Sequence, residues 1–186
     1  MDAFSGVIEI ALDEVLQYRP VNTQIFMPFL LARLMEHPAT IDRTLEYQVT
    51  LQDIGEVGMR SFAVKWTWTE AMIPPLPLAA QREYITEAAA YALAFATVSR
   101  FTPATLVSVA ERGDRYDYVL AENGNHCGIE VSGTQTEDRQ IMRDRQAQKI
   151  RQLHDNPKRW GGYVAIIGFA RREVWLSHHA PKDITL

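Results

Sequence analysis

The sequence predicts a mixed α/β fold of the α+β kind, in which a central mixed sheet is flanked by helices. Two observations lead to this prediction. The hydrophobic period changes repeatedly between two and 3.6 residues, and a long alanine-rich segment precedes three strand-like runs, a second helical segment and a continuous apolar run. The 186 residues, 47% of them hydrophobic and 23% charged, have ordinary globular composition. This length allows one sizeable core with a small appendage.

Residues 1–72 are predicted to form an N-terminal extension of helices and a β-hairpin that packs on the core. Residues 7–18 mix alternation with helical spacing and are interpreted as a helix. Residues 23–37 are apolar almost all round, which predicts a second, buried helix that packs under another layer or in a partner interface. Alternation over 44–51, followed by a turn and by 61–68, is typical of a hairpin.

A proline-rich connector marks the expected domain boundary. Residues 72–78 read MIPPLPL, with three prolines in seven residues, and predict an extended segment. Residues 79–186 then form the predicted core domain. Its expected elements, in chain order, are helix 82–101, strands 104–111, 114–121 and 126–133, helix 137–153 with a capping box of Thr134 and Glu137, and strands 162–170 and 173–179.

The second and third strands of this core carry two acids whose positions follow from the turn between them. If Asn123-Gly124 is a two-residue hairpin turn, Asp117 lies opposite Glu130 and Arg115 lies opposite Ser132, all on one face of the sheet. Facing carboxylates about 5 Å apart at Cβ repel each other unless a cation or a proton lies between them.

Two interpretations of the acid pair follow from the residues alone. Carboxylate oxygens at this spacing suit Mg²⁺ or Mn²⁺, and such a pair holds the metal in many phosphoryl-transfer sites. Alternatively, Asp117 and Glu130 lie on an exposed sheet face and pair with Arg115 and its neighbours. The sequence leaves both interpretations open.

The order of elements resembles the PD-(D/E)XK superfamily, which has the restriction-endonuclease-like fold. The resemblance covers roughly residues 80–170 and lies in a helix with a glutamate, a strand with GDRYDYVL, a strand with CGIEVSGT, a helix with Gln and Lys, and an apolar strand. It implies a Mg²⁺- or Mn²⁺-dependent nuclease. Asp117 and Glu130 match the metal-binding acids, the carbonyl of Val131 is a further ligand, and Glu87 matches the helix acid.

The chain departs from that pattern at Ser132, where the family places a lysine. In the family the lysine is thought to position the attacking water and to stabilise negative charge on the phosphate, and a serine has no charge to offer. Arg115 or Lys149 could replace it, or the site is catalytically degenerate. Gln146 resembles the helix glutamine of the family, and a partly buried amide bonded to backbone is the alternative.

Basic residues are concentrated behind the acid pair. Residues 1–138 hold 9 basic and 19 acidic residues, a net charge of −10, and residues 139–186 hold 10 basic and 4 acidic residues, a net charge of +6. This arrangement suits the phosphate backbone of a nucleic acid, without sequence preference. The predicted nucleic-acid-binding residues are Arg139, Arg143, Arg145 and Arg151.

The leading hypothesis is therefore a metal-dependent nuclease that hydrolyses phosphodiester bonds in nucleic acid, with DNA ahead of RNA. The alternative is a degenerate nuclease-fold protein that binds a nucleic acid or a protein, or forms a homodimer through its N-terminal part. A third reading is an unrelated α/β domain with an accidental match. We expect a cytoplasmic protein without a membrane segment, because no apolar run reaches about 18 residues and Cys127 is the single cysteine.

Overall fold

The strands and helices are those of a mixed α/β protein. A computed structural model describes residues 7–16, 23–34, 36, 43–55, 58–69 and 81–181. The strands are β1 (Ile8–Ala11), β2 (Thr44–Gln52), β3 (Met59–Thr67), β4 (Thr105–Val109), β5 (Tyr118–Glu122), β6 (Asn125–Thr134), β7 (Gly162–Gly168) and β8 (Glu173–His179). The helices are α1 (Leu12–Val15), α2 (Met27–Leu34), α3 (Arg82–Phe101) and α4 (Arg139–His154), and a 3-10 turn spans Thr23–Phe26.

Within the described residues, all eight strands join one sheet in the order β1-β3-β2-β8-β7-β6-β5-β4. The three strands β4, β5 and β6 form an antiparallel meander. Strand β7 is parallel to β6, so the chain crosses over between them, and α4 is that crossover. The N-terminal hairpin of β2 and β3 joins the same sheet because β2 pairs with β8 in parallel.

One face of the sheet, here named the α3 face, carries the larger apolar core. Helix α3 buries ten residues there, and α2 packs against it. The helix lies very close to β6, because a Cβ placed on Gly133 would be 2.7 Å from the carbonyl oxygen of Thr86 and 2.8 Å from Cβ of Ala90. The glycine therefore lets the start of α3 approach the end of β6.

The opposite face, here named the α4 face, is covered differently. Helix α4 buries only Met142 and Leu153. They pack in a small cluster with Val119, Val164 and Ile166. The remaining side chains of α4 are polar or charged almost throughout, so the contacts of this helix with the sheet are largely hydrogen bonds and ion pairs. The candidate site lies among these contacts.

The predicted hairpin and the long alanine-rich helix are confirmed as β2 with β3 and as α3. The helix predicted over 7–18 is wrong at its start, because Ile8–Ala11 forms a strand parallel to β3 and, of the described residues in this range, only Leu12–Val15 are helical. Alternation outweighed helical spacing here because β3 offered an unpaired edge.

Two predictions about the boundaries of elements have different outcomes. The capping box of Thr134 and Glu137 is wrong: Thr134 ends β6, and Asp138 is the N-cap of α4, accepting a hydrogen bond from the backbone N–H of Gln140 at 2.7 Å. The proline-rich connector at 72–78 lies outside the described residues. The apolar segment 23–37 is a 3-10 turn followed by α2 as far as Leu34.

Candidate functional site

The turn between β5 and β6 sets the register of the two acid-bearing strands. Asn123 and Gly124 have φ of 50° and 80°, the left-handed pair that a type I′ hairpin turn requires. The pairing runs from Glu122 with Asn125 to Tyr118 with Ile129. This is the register predicted from the Asn-Gly dipeptide, and it is confirmed along the whole ladder.

Asp117 lies one residue beyond the end of this ladder and is held by two backbone contacts. Its N–H donates to the carbonyl of Ile129 at 2.9 Å, and its Oδ2 accepts from the N–H of Val131 at 2.8 Å. The carboxylate is therefore bonded to the residue that follows Glu130. Because side chains alternate along a strand, Asp117 shares the α4 face with Val119, and Glu130 shares it too.

Lys149 of α4 brings a cation between the two acids. Its Nζ is 2.5 Å from Oε2 of Glu130 and 3.6 Å from Oδ2 of Asp117. The Glu130 side chain is only 4% exposed, whereas those of Lys149 and Asp117 are 20% and 22% exposed. The predicted proximity of the acids is thus confirmed, and the ammonium group relieves the repulsion that this proximity creates.

The electrostatic environment of Glu130 is unusual for a carboxylate. Burial and then the negative charge of Asp117 raise its pKa, the hydrogen bond and positive charge of Lys149 lower it, and the net result is a pKa of about 7. Tyr118 is affected in the same direction, since burial and then Asp117 raise its pKa to about 12. Glu130 is therefore near the balance between its protonated and ionised forms at neutral pH.

Ser132 contacts a different arginine from the one predicted. The ladder ends at Tyr118, and Arg115 lies in a left-handed conformation with φ of 59°, so the expected pairing of Arg115 with Ser132 is wrong. Instead, Nη1 of Arg145 donates to Oγ of Ser132 at 3.0 Å and to the carbonyl of Gly133 at 3.2 Å. Arg115 lies outside β5, which begins at Tyr118. The guanidinium group beside Ser132 is therefore that of Arg145 from α4.

An open pocket of about 440 Å³ lies between α3, the end of β6 and α4. Glu87 lines this pocket, accepts a hydrogen bond from the hydroxyl of Tyr91 at 3.3 Å, and shares the pocket with Lys149 and Arg145. Asp117 and Glu130 are not among the lining residues, and Lys149 connects them to the pocket. The predicted helix acid is therefore beside the cationic residues of the site.

Gln146 faces away from the acid pair. Its Nε2 donates to Oγ of Ser177 at 3.4 Å, and it lines a second groove, of about 390 Å³, together with Trp175. Ser177 and Glu130 flank Val164 of β7 in register, so Gln146 bonds to β8, two strands away from Glu130. The alternative interpretation of a partly buried amide fits its position better than a role beside the acids, although its partner is a serine hydroxyl.

The predicted nucleic-acid-binding arginines are spread along α4 and have different environments. Arg139 is paired with the buried Glu173, with Nη2 2.8 Å from Oε1. Arg143 donates to Oε1 of Gln140 at 3.4 Å, and Arg151 is exposed. Arg139 and Arg143 line the second groove, whereas Arg145 lines the pocket beside Lys149.

The donor atoms of the acid pair fit a divalent cation in their chemistry. Oε1 of Glu130 and Oδ1 of Asp117 receive no hydrogen bond from any described residue. Hard carboxylate oxygens, together with the carbonyl of Val131, suit Mg²⁺ or Mn²⁺. No group of three or more His, Cys, Asp or Glu side chains that could hold a metal occurs in the described part of the chain. Among the described residues, the acid pair therefore has no third such side chain grouped with it.

Comparison of the chain with protein-family models, with curated proteins and with solved structures finds no match. In the described ranges, no helix is both long and apolar enough to cross a membrane. The function is therefore inferred from the geometry of the site.

The contact of Arg145 with Ser132 was not expected from the sequence. The spacing of Arg145 and Lys149, four residues apart on a helix, was the available signal, because it places both side chains on one side of α4. Knowing which side requires the packing of α4 against β6.

Proposed function

We propose that this protein is a metal-dependent nuclease that hydrolyses phosphodiester bonds in nucleic acid, with DNA as the first expected substrate. The observation that carries the proposal is the contact of Lys149 with both Glu130 and Asp117. It supplies, from α4, the cation that Ser132 lacks. Two acids that could hold a metal, with a lysine ammonium beside both, suit metal-assisted hydrolysis of a phosphodiester.

The order of elements supports a restriction-endonuclease-like core. Helix α3 carries Glu87, β5 follows directly after Asp117, and β6 carries Glu130. Helix α4 then carries Lys149, and β7 returns parallel to β6 as an apolar, fully buried strand. This is the arrangement that the resemblance to the PD-(D/E)XK superfamily implies for residues 80–170.

The residues of the site would have different roles in the reaction. Asp117, Glu130 and the carbonyl of Val131 would hold Mg²⁺ or Mn²⁺, and the bound metal would supply a more acidic water and a polarised phosphoryl oxygen. Glu130 must be ionised to serve as a ligand, and Lys149 favours the ionised form. Lys149, whose stem has four rotatable bonds, also offers its ammonium to negative charge that develops on the phosphate.

The test is cleavage of nucleic acid by the purified chain. Supercoiled plasmid, linear duplex DNA, single-stranded DNA and RNA are incubated with Mg²⁺ or Mn²⁺, beside an Asp117→Asn/Glu130→Gln variant that keeps the shape of both side chains. We expect metal-dependent cleavage by the native chain and none by the variant. Equal cleavage by both proteins would contradict the assignment of the site.

A second candidate function is nucleic-acid binding without cleavage. One observation favours it: the ammonium of Lys149 already lies against both acids and offsets part of their negative charge without a metal. Calorimetric titration with Mn²⁺ separates the two functions, because the nuclease proposal requires saturable binding that the Asp117→Asn/Glu130→Gln variant loses. Gain of cleavage by Ser132→Lys in an otherwise inactive chain would identify a lost catalytic group.

A further inference from the structure

The guanidinium of Arg145 is fixed at one nitrogen only. Its Nη1 is shared between Oγ of Ser132 at 3.0 Å and the carbonyl of Gly133 at 3.2 Å. Arginine has no acceptor, so Ser132 accepts this hydrogen bond. The two contacts hold the end of a long, exposed side chain against the last residues of β6.

The other edge of the guanidinium remains available. Nε and Nη2 of Arg145 donate to no residue in the described ranges. These two nitrogens present parallel N–H groups on the side of the guanidinium away from Nη1, and this fork matches two oxygens of a phosphate. The contact with Ser132 therefore orients the side chain and leaves its bidentate edge unused.

Arg145 lines the pocket that the acid pair reaches through Lys149. Arg145 and Lys149 line this pocket one helical turn apart, as Ser132 and Glu130 lie two residues apart on the same face of β6. Arg82 adds a third basic residue to the lining, and Glu83 and Glu87 of α3 add two acids. The pocket thus has Arg145 and Lys149 on the α4 wall, and Arg82 together with the two acids on the α3 wall.

We propose that Arg145 binds a phosphate group of the nucleic acid beside the acid pair, and that Ser132 is a positioning residue that orients Arg145 for this contact. The proposal rests on the proposed function and names the group of the substrate that the pocket takes. Ser132, in the position where the resemblance expects a lysine, then has a role through the arginine it holds.

Cleavage kinetics test the role of Arg145. Purified Arg145→Gln, Arg145→Lys and Ser132→Ala are compared with the native chain on plasmid DNA with Mg²⁺. We expect kcat/KM to fall roughly 100-fold for Arg145→Gln and roughly 10-fold for Ser132→Ala, which leaves the arginine in place but unoriented. Arg145→Lys should lie between the native chain and Arg145→Gln, because it keeps the charge and loses the fork.

The matched control is Arg100→Gln, which removes the same charge from the C-terminal end of α3. It should leave kcat/KM unchanged. A loss for Arg145→Gln no greater than that for Arg100→Gln would overturn the proposal.

A binding measurement distinguishes failure of this proposal from failure of the proposed function. Fluorescence anisotropy of a labelled 12-nucleotide DNA, in EDTA so that no cleavage occurs, reports phosphate binding even if the chain cuts nothing. Arg145→Gln should weaken binding by more than Arg100→Gln does. Equal affinities for these two variants would overturn the phosphate contact whether or not the native chain is a nuclease.

The double variant Ser132→Ala/Arg145→Gln tests the positioning role in the same binding assay. If Ser132 acts only through Arg145, the double variant should bind like Arg145→Gln alone. Full additivity of the two losses would show that Ser132 acts independently of Arg145, and it would overturn the positioning role. Thermal melting of each variant confirms that the protein compared is folded.

Discussion

The two faces of the sheet hold their helices by different forces. On the α3 face, α3 buries a run of alanines with Leu93, Phe95 and Val98 in the main apolar core. On the α4 face, α4 buries Met142 and Leu153 and otherwise relies on charged contacts such as Lys149 with Glu130. Apolar burial depends little on pH, whereas ion pairs follow the titration of their members.

This difference separates the part of the molecule that stabilises the fold from the part that carries the proposed chemistry. Charged groups held partly out of water are costly for stability, and they persist where their charge is used. Substitutions in the apolar core of the α3 face should therefore change stability alone. Substitutions on the α4 face should change stability in a pH-dependent way and should also change metal or nucleic-acid binding.

The largest expected effect on stability is on the α3 face. Leu93→Ala removes a fully buried side chain from the main core and should lower the free energy of unfolding by about 4 kcal/mol. The loss should be similar at pH 5 and pH 8 in urea denaturation. Ile141→Ala, at a 40% exposed position of α4, is the control and should change the free energy by less than about 0.5 kcal/mol.

Lys149→Met should have the next largest effect, and it should depend on pH. At pH 8 the variant leaves the Glu130 carboxylate buried without its cation, which should cost about 3 kcal/mol. At pH 5 Glu130 is largely protonated, so most of this loss should disappear. Urea denaturation at both pH values measures the difference. An equal loss at pH 5 and pH 8 would mean that Lys149 stabilises the chain by packing alone.

Glu130→Gln should change the pH dependence of stability with a smaller magnitude. The pKa of Glu130 is raised to about 7 in the folded chain from its usual value of 4.5. Between these two pH values the folded state binds a proton that the unfolded state has released. The stabilisation from this proton is complete below about pH 4.5 and is lost as the pH rises to about 7. From pH 5 to pH 8 the native chain should lose about 2 kcal/mol that the variant keeps. Parallel curves for the two proteins would contradict the raised pKa.

The smallest expected effect is that of Arg139→Gln. Burial raises the pKa of Glu173, but hydrogen bonds from Arg139 and Arg171 outweigh burial and hold it below its usual value. Stability from this carboxylate is present above its unfolded pKa and is lost as pH falls through the folded value. Arg171 remains bonded to Glu173 in the variant, so the melting temperature should fall slightly at pH 7, and by less as the pH is lowered through the folded pKa of Glu173. A fall at pH 3 as large as at pH 7 would exclude the ion pair as its cause.

Local signals predicted much of the fold correctly. Alternation predicted β2 and β3, and the alanine-rich segment predicted α3, because each signal is contained in the element itself. The Asn-Gly dipeptide predicted the register of β5 and β6 for the same reason, since a type I′ turn specifies its own pairing. The prediction over 7–18 was wrong because pairing with β3, far along the chain, decided the structure of Ile8–Ala11.

The sequence predicted which acids of the candidate site lie together, but it predicted the basic residues beside them only in part. The proximity of Asp117 and Glu130 followed from the turn. Whether Arg115, Lys149 or neither replaces the missing lysine depends on how α4 packs on the sheet, and Lys149 is 19 residues from Glu130. Helix α4 has few apolar residues, so the sequence does not show clearly which side of the helix packs on the sheet. Its contacts with Glu130 and Ser132 could therefore be identified only in the folded chain.

The most direct test of the central claim is the rate of plasmid cleavage by Lys149→Met relative to the native chain. The measurement uses saturating Mg²⁺ and a temperature at which both proteins are folded. We expect metal-dependent cleavage by the native chain and a rate roughly 100-fold lower for the variant, because the variant lacks the positive charge beside the acid pair. Cleavage at the native rate by Lys149→Met, or an intact plasmid with the native chain, would contradict the claim.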